Sequence, residues 1–284
     1  MTSRKKIEEL FFKCLMVLSL LAVMGSLVLI IGTVIYKGAG SMSLDMITST
    51  PEGGYYLGKK GGILNAIAGS LILTGIATVA AIALALPLAL YINLYRARRS
   101  RFAEMVRLSM DFLWGIPSIV YGAFGFSVMI FLGIRASLLG GIIAVTLLII
   151  PIMARAIDEA VSLVPRELLD SSYSLGATRF EAAFKIVVRQ CLPGIVSAVL
   201  IAFGRGIGDA ASVLFTAGFS DRIPLSLSEP AATLPLAIFF QLGTPFPEVR
   251  DRAYASALIL TVIILALSIT ARVLASRFNR HIIK

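Results

Sequence analysis

Histidine is nearly missing from this chain of 284 residues: His281, in the C-terminal tail, is the only one. Cysteine is scarce too, with Cys14 and Cys191 alone. No His/Cys/carboxylate cluster of zinc spacing can be drawn from that stock. A Ser-His-Asp nucleophile system would have to borrow its base from the tail. Two isolated cysteines also exclude a disulfide scaffold. Charge is the third shortage, 15% of residues against roughly 25% in a soluble domain. In its place stand 58% hydrophobic residues and a mean hydropathy of +0.91. So apolar a chain cannot be disordered, and it cannot hide its surface in one soluble core. The charges present are lopsided, 26 Lys and Arg against 16 Asp and Glu, a formal +10.

Crossing the roughly 30 Å hydrocarbon layer takes about 20 apolar residues as helix. Six runs qualify, at about 14–35, 63–94, 108–132, 137–156, 191–218 and 253–274. The first lacks a convincing small-residue cleavage site and is read as a retained span. With the N-terminus placed in the cytoplasm, 18 Lys and Arg fall on inner segments and seven on outer ones. That bias predicts both termini inside. The whole chain, 1–284, is expected to be one all-α integral-membrane domain.

Two motifs invite other readings. Arg96-Ala97-Arg98-Arg99-Ser100-Arg101 could suggest nucleic acid, but it fits a topology anchor beside anionic headgroups. Gly53-Gly54-Tyr55-Tyr56-Leu57-Gly58-Lys59 matches a phosphate-loop pattern. Lys60 replaces the magnesium-binding Ser/Thr, no buried strand precedes it, and it falls outside, away from ATP. No nucleotide-hydrolysis site is therefore expected in this chain. In the third run, Ser118, Gly122 and Gly125 are spaced for close approach of a neighbour or for ordinary packing. Among the outer connections, Ala231–Leu242 is apolar but too short to span, and is expected at the interface or against the bundle.

One cation is left over from the topology count. Arg205, in Phe203-Gly204-Arg205-Gly206-Ile207-Gly208-Asp209, lies 14 residues beyond Cys191 in the fifth run. At 1.5 Å per residue that is about 21 Å, near mid-membrane. Asp209, four residues on, is expected on the same helix face. Charge at such depth must face protein or a wet cavity. A self-neutralising salt bridge is one reading. The other is an anion site, since arginine presents a fixed fork of donors suited to phosphate oxygens. Asp209 would then hold Arg205 when the site is empty and weaken trapping when it is full.

The inner connection 157–190 is long enough to carry structure. Pro165 suits a helix start, with Glu167 and Asp170 favourable near its positive end. Gly176 can stop that helix in the left-handed region. Thr178 and Glu181 then form a capping box for a second helix. The product is an exposed knob able to dock a partner, or a plain amphipathic connector.

This loop resembles the cytoplasmic coupling loop of ABC-importer permeases, whose pattern is E-A-A-x3-G-x9-I-x-L-P. Asp170, Ser171 and Ser172 occupy the E-A-A positions, followed by Gly176 and Ile186. Val188-Arg189 stands where Leu-Pro belongs, and Leu192-Pro193 comes four residues later. Gly61-Gly62-Ile63-Leu64-Asn65-Ala66-Ile67-Ala68-Gly69-Ser70, Gly115-Ile116-Pro117-Ser118-Ile119-Val120-Tyr121-Gly122 and Arg205-Gly206-Ile207-Gly208-Asp209-Ala210 narrow the resemblance. Together, over about 60–275, they resemble the phosphate-specific ABC-importer permease family, the PstA-type subunit more than its PstC-type partner. Asp209 stands where that family typically has Glu.

The resemblance implies a six-transmembrane-helix type I importer permease in a bacterial or archaeal cytoplasmic membrane. It implies a heterodimeric pore with a PstC-type subunit, a dimer of ATPase subunits, and an external phosphate-binding protein. ATP and Mg would be used by the ATPase partner, and no cofactor by this chain. Arg205, Asp209 and, on the Pro-interrupted third helix, Ser118 would line the substrate pathway. Glu167, Asp170, Ser171, Ser172, Gly176 and Ala177 would couple to the ATPase. Two alternatives stay open: a permease for another oxyanion such as molybdate or sulfate, and a non-transporting membrane scaffold or channel.

Overall fold

A computed structural model describes residues 3–52, 60–95 and 100–278. The phosphate-loop-like stretch, three arginines of the basic cluster (Arg96, Arg98, Arg99) and His281 lie outside them. The regular elements of the described chain are helices apart from a two-residue antiparallel pair, β1 (Pro51–Glu52) with β2 (Lys60–Gly61). The long helices are α1 (Ser3–Gly40), which the short α2 (Leu44–Thr48) follows, α3 (Leu64–Leu90), α6 (Leu138–Ser162) and α12 (Pro247–Phe278). These four are long and apolar enough to cross a membrane, and two bent helix pairs raise the total to as many as six. The broken pairs are where the structure departs from six straight runs.

The first break is in the third run. Here α4 (Arg101–Trp114) and α5 (Ser118–Phe131) meet at 95°. Pro117 has no N–H to donate and pushes Ile116 out of the helical region, so α4 ends at Trp114 and Pro117 caps a new helix. The second is a 73° bend at Cys191, where α10 (Leu192–Ile207) begins with Pro193 in its first turn. This helix also ends early. The apolar run continues to Gly218, but residues 208–218 are turns. Gly206 and Gly208 favour helix weakly, and the Asp209 carboxylate takes the Ser212 backbone N–H at 2.8 Å, competing with the helical ladder.

Irregular backbone inside an apolar slab must find partners within the protein. Thr216 C=O accepts from Ser137 N–H, Glu229 C=O from Leu138 and Leu227 C=O from Leu139. These are the unsatisfied donors at the start of α6, so the turn segment and the helix end satisfy each other.

The core is built on α3, α6 and α10. Leu73, Ala77, Ala81, Ala85 and Ala89 recur every fourth residue of α3 and are buried. That small-residue ridge lets α3 approach α6 closely. In the central helix α6, 67% of the apolar window is buried, against none in α1, whose leucines and isoleucines are all exposed. α1 touches the rest chiefly through α12, with Gly38 against Tyr254 and Lys37 over the Tyr254 ring. Exposed apolar surface on this scale is what a bilayer or a partner helix covers. The short apolar segment of the outer connection forms α11 (Leu234–Leu242) and packs on the bundle, with the Leu234 N–H donating to the Ser70 hydroxyl at 2.8 Å.

Candidate functional site

Two helix ends converge at the site. Arg205 lies in the last turn of α10, and Gly208 closes that helix. Asp209 therefore sits just beyond the helix, where continuous helix is expected from hydropathy. The i,i+4 spacing survives the change: Arg205 Nη1 donates to Asp209 Oδ1 at 2.7 Å. The partners are unequally placed. The Asp209 side chain is 4% exposed and that of Arg205 42%. The carboxylate is also held by the Ser212 N–H on Oδ2 and is reached by the Ser118 hydroxyl. Ser118 opens α5 directly after the 95° break.

The three residues expected along a substrate pathway are thus brought together from two broken helices. The small residues of α5 contribute the contact. Gly122 lies against the backbone of Ala211 and Ser212, and Gly125 against the Thr216 side chain. They pack a turn segment, not a second helix. Gly206 packs on Thr74, Val145 and Ile149, whereas Gly204 has open space where a Cβ would be. The arrangement leaves the guanidinium half-exposed on an uncrowded side of α10, with its carboxylate partner fixed from behind. Sequence reasoning missed Ser212. Its signal is an Asp three residues before a Ser at a glycine-rich helix end, a pattern of side-chain-to-backbone capping.

The residues of the inner connection form a separate group. Glu167, Asp170, Ser171 and Ser172 lie on α7 (Arg166–Ser174). Ser171 and Ser172 donate back to the Glu167 and Leu169 carbonyls, both at 2.7 Å. Gly176 follows at φ +83, and the Ala177 N–H returns to Ser172 C=O. Thr178 then caps α8 (Arg179–Glu181) reciprocally with Glu181, and a π-helical stretch leads to α9 (Val188–Gln190). Leu163, Leu175 and Phe180 are exposed around this helix–turn–helix. A polar knob carrying bare apolar side chains suits a protein partner.

Comparison with known proteins adds three findings. Residues 81–284 match the family model described as "Binding-protein-dependent transport system inner membrane component". The phosphate transport system permease protein PstA of Haemophilus influenzae is 34% identical over 86% of this chain and 85% of its own. PstA of Yersinia pestis is 34% identical over 88% and 84%, and PstA 1 of Mycobacterium tuberculosis 35% over 78% and 72%. Among solved structures, an inward-facing form of the MetNI methionine ABC transporter superposes with a TM-score of 0.59, covering 76% of this chain and 95% of that one, at 17% identity. That likeness speaks for the fold.

Proposed function

The chain belongs to the family of binding-protein-dependent transport inner membrane components, and from that premise we propose that it is the PstA-type permease subunit of an ATP-driven inorganic phosphate importer. One observation carries the substrate reading onto this chain's own residues. A half-exposed guanidinium in the last turn of α10 is tethered to a buried carboxylate, in a sequence 34–35% identical to phosphate permeases.

The chemistry follows from the unequal burial. With no anion present, Asp209 neutralises Arg205. An entering phosphate competes for the guanidinium, whose planar fork matches two oxygens. Asp209 keeps its place when Arg205 turns away, because the Ser212 N–H holds its other oxygen. The carboxylate then draws Arg205 back, which keeps the anion from being trapped.

The rest of the machine lies in partner chains. A PstC-type permease completes the pore, a dimer of ATPase subunits binds ATP and Mg, and an external phosphate-binding protein delivers substrate. Glu167, Asp170, Ser171, Ser172, Gly176 and Ala177 form the knob on which an ATPase subunit docks. The chain is one membrane domain with both termini in the cytoplasm.

The test is Arg205→Gln in the assembled complex in proteoliposomes. Each hydrogen bond to a charged group is worth about 1.5–3 kcal/mol, so losing a bidentate pair lowers phosphate uptake by about 100-fold or more. Assembly persists. Normal uptake by this variant would remove Arg205 from the pathway, and competition by molybdate or sulfate would redirect the substrate.

A further inference from the structure

Arg107 and Arg155 count as topology charges in the sequence, but both are engaged by a network centred on one buried aspartate. Asp158 on α6 is 3% exposed. It accepts from Arg107 Nε at 2.8 Å and Nη2 at 2.9 Å, from Arg155 Nη1 at 2.9 Å, and from Asn93 Nδ2 at 2.6 Å. Arg155 Nε reaches on to Asp111 Oδ1 at 2.8 Å. Two arginines thus face two aspartates within one network. Three elements are tied together. Asn93 sits in the π-helical turn Tyr91–Tyr95 that ends α3, Arg107 and Asp111 on α4, and Arg155 and Asp158 on α6. A fully satisfied polar network in an apolar interior fixes one arrangement of the helices that carry it.

Its position gives the network a use. Toward the inner connection, α6 ends four residues past Asp158; Val161 and Val164 stay in the core, against which Leu168 and Leu169 of α7 also pack. Toward the anion site, α4 is bolted to α5 across the 95° elbow, because the Tyr121 hydroxyl donates to Leu113 C=O at 2.8 Å. Next on α5, Gly122 abuts Ser212, whose N–H holds Asp209. Toward the anion site each joint is a hydrogen bond, an ion pair or a backbone contact, and toward the knob it is close core packing.

We propose that Arg107, Asp111, Arg155, Asp158 and Asn93 are positioning residues that clamp α4 to α6, so that movement of the inner knob is delivered through the elbow to the Arg205–Asp209 site. The inference rests on the phosphate-importer reading.

Asp111→Asn is the decisive variant, because the Asp111 side chain is 47% exposed and lies at the edge of the network. Asp158→Asn is the stronger perturbation at its centre. The complex is reconstituted with its partners, and phosphate moved and ATP hydrolysed are measured on the same vesicles. We expect phosphate moved per ATP to fall about fivefold or more, with assembly and basal hydrolysis retained, and Asp111→Glu to restore the ratio. A merely structural role would lower both rates in proportion and leave the ratio at the wild-type value; that result, or an unaltered variant, overturns the proposal. If Asp158→Asn fails to assemble, Asp111→Asn decides alone. Absence of phosphate uptake in the wild type would count against the substrate, and the clamp would then be judged by whether Asp111→Asn abolishes the stimulation of hydrolysis by the binding protein. Retained stimulation would overturn it.

Discussion

Gly122 is the contact on which the anion site depends, and replacing it tests the geometry directly. A Cβ there would sit 2.7 Å from the Ala211 carbonyl oxygen, 2.9 Å from that of Ser212 and 3.0 Å from the Ser212 Cα. Carbon and oxygen pack at about 3.3–3.6 Å, so Gly122→Ala forces roughly half an ångström or more of separation. All three obstructing atoms are backbone, so no side chain can swing aside. Overpacking of this kind costs about 1–3 kcal/mol, and the better helix propensity of alanine returns up to about 1. With that return the net loss is up to about 2 kcal/mol, and the movement pulls the Ser212 N–H from Asp209. Gly75→Ala is the control, since Gly75 lies inside α3 with nothing within 4 Å of the added carbon. Heating a fluorescently tagged chain and following its size-exclusion peak gives both stabilities. We expect Gly122→Ala to melt below wild type with reduced phosphate uptake, and Gly75→Ala to melt at or above wild type with normal uptake. Wild-type stability and uptake in Gly122→Ala would show that α5 does not press on the 211–212 backbone.

Other consequences are simpler to state. Asp209→Asn keeps an acceptor for Ser212 but loses the charge that competes for Arg205, so phosphate release slows and uptake falls about tenfold, the effect of about 1.4 kcal/mol; an unchanged rate removes Asp209 from the cycle. Gly176→Ala meets no atom within 4 Å but must hold φ +83, a strain of about 1–2 kcal/mol, and Thr178→Ala forfeits a cap worth about 1 kcal/mol. Both should weaken co-purification of the ATPase, and undiminished binding by the double variant would dissociate the knob from docking. For topology, Ser174→Cys and Ser228→Cys in a background with Cys14 and Cys191 replaced should differ. In intact cells an impermeant maleimide labels position 228 and spares 174, and the reverse pattern inverts the chain.

The inner knob was legible because its chemistry is local. A proline, a left-handed glycine and a Thr/Glu box all fall within residues 165–181, and each appears where the spacing puts it. The end of α10 was not legible, because hydropathy responds to apolar content and the sequence stays apolar to Gly218 after the helix has stopped. The proline of the third run, Pro117, was visible, but a 95° turn depends on what α5 packs against, and those partners lie some 90 residues downstream. The clamp was hidden for the same reason. Asp158 and Arg107 are 51 residues apart, and Asp158 and Asn93 65, so charges that read as an inner-face bias carried no sign of their pairing.

The broken helices and the charged pair have one physical origin. A straight span satisfies its own backbone and has no reason to hold charge in an apolar layer. Ending α10 at Ile207 leaves carbonyls, and so partial negative charge, beside Arg205 in its last turn; starting α5 at Ser118 sets amide donors and partial positive charge near Asp209. Each helix end favours the ion it meets by a few tenths to about 1 kcal/mol. Part of the cost of burying Asp209 is offset by the same interruptions that open space for a ligand at Gly204. An unbroken fifth helix would have left Arg205 and Asp209 with each other alone. Bent as it is, the chain keeps the carboxylate fixed when the arginine lets go, and a carrier site needs that asymmetry to bind an anion and then release it.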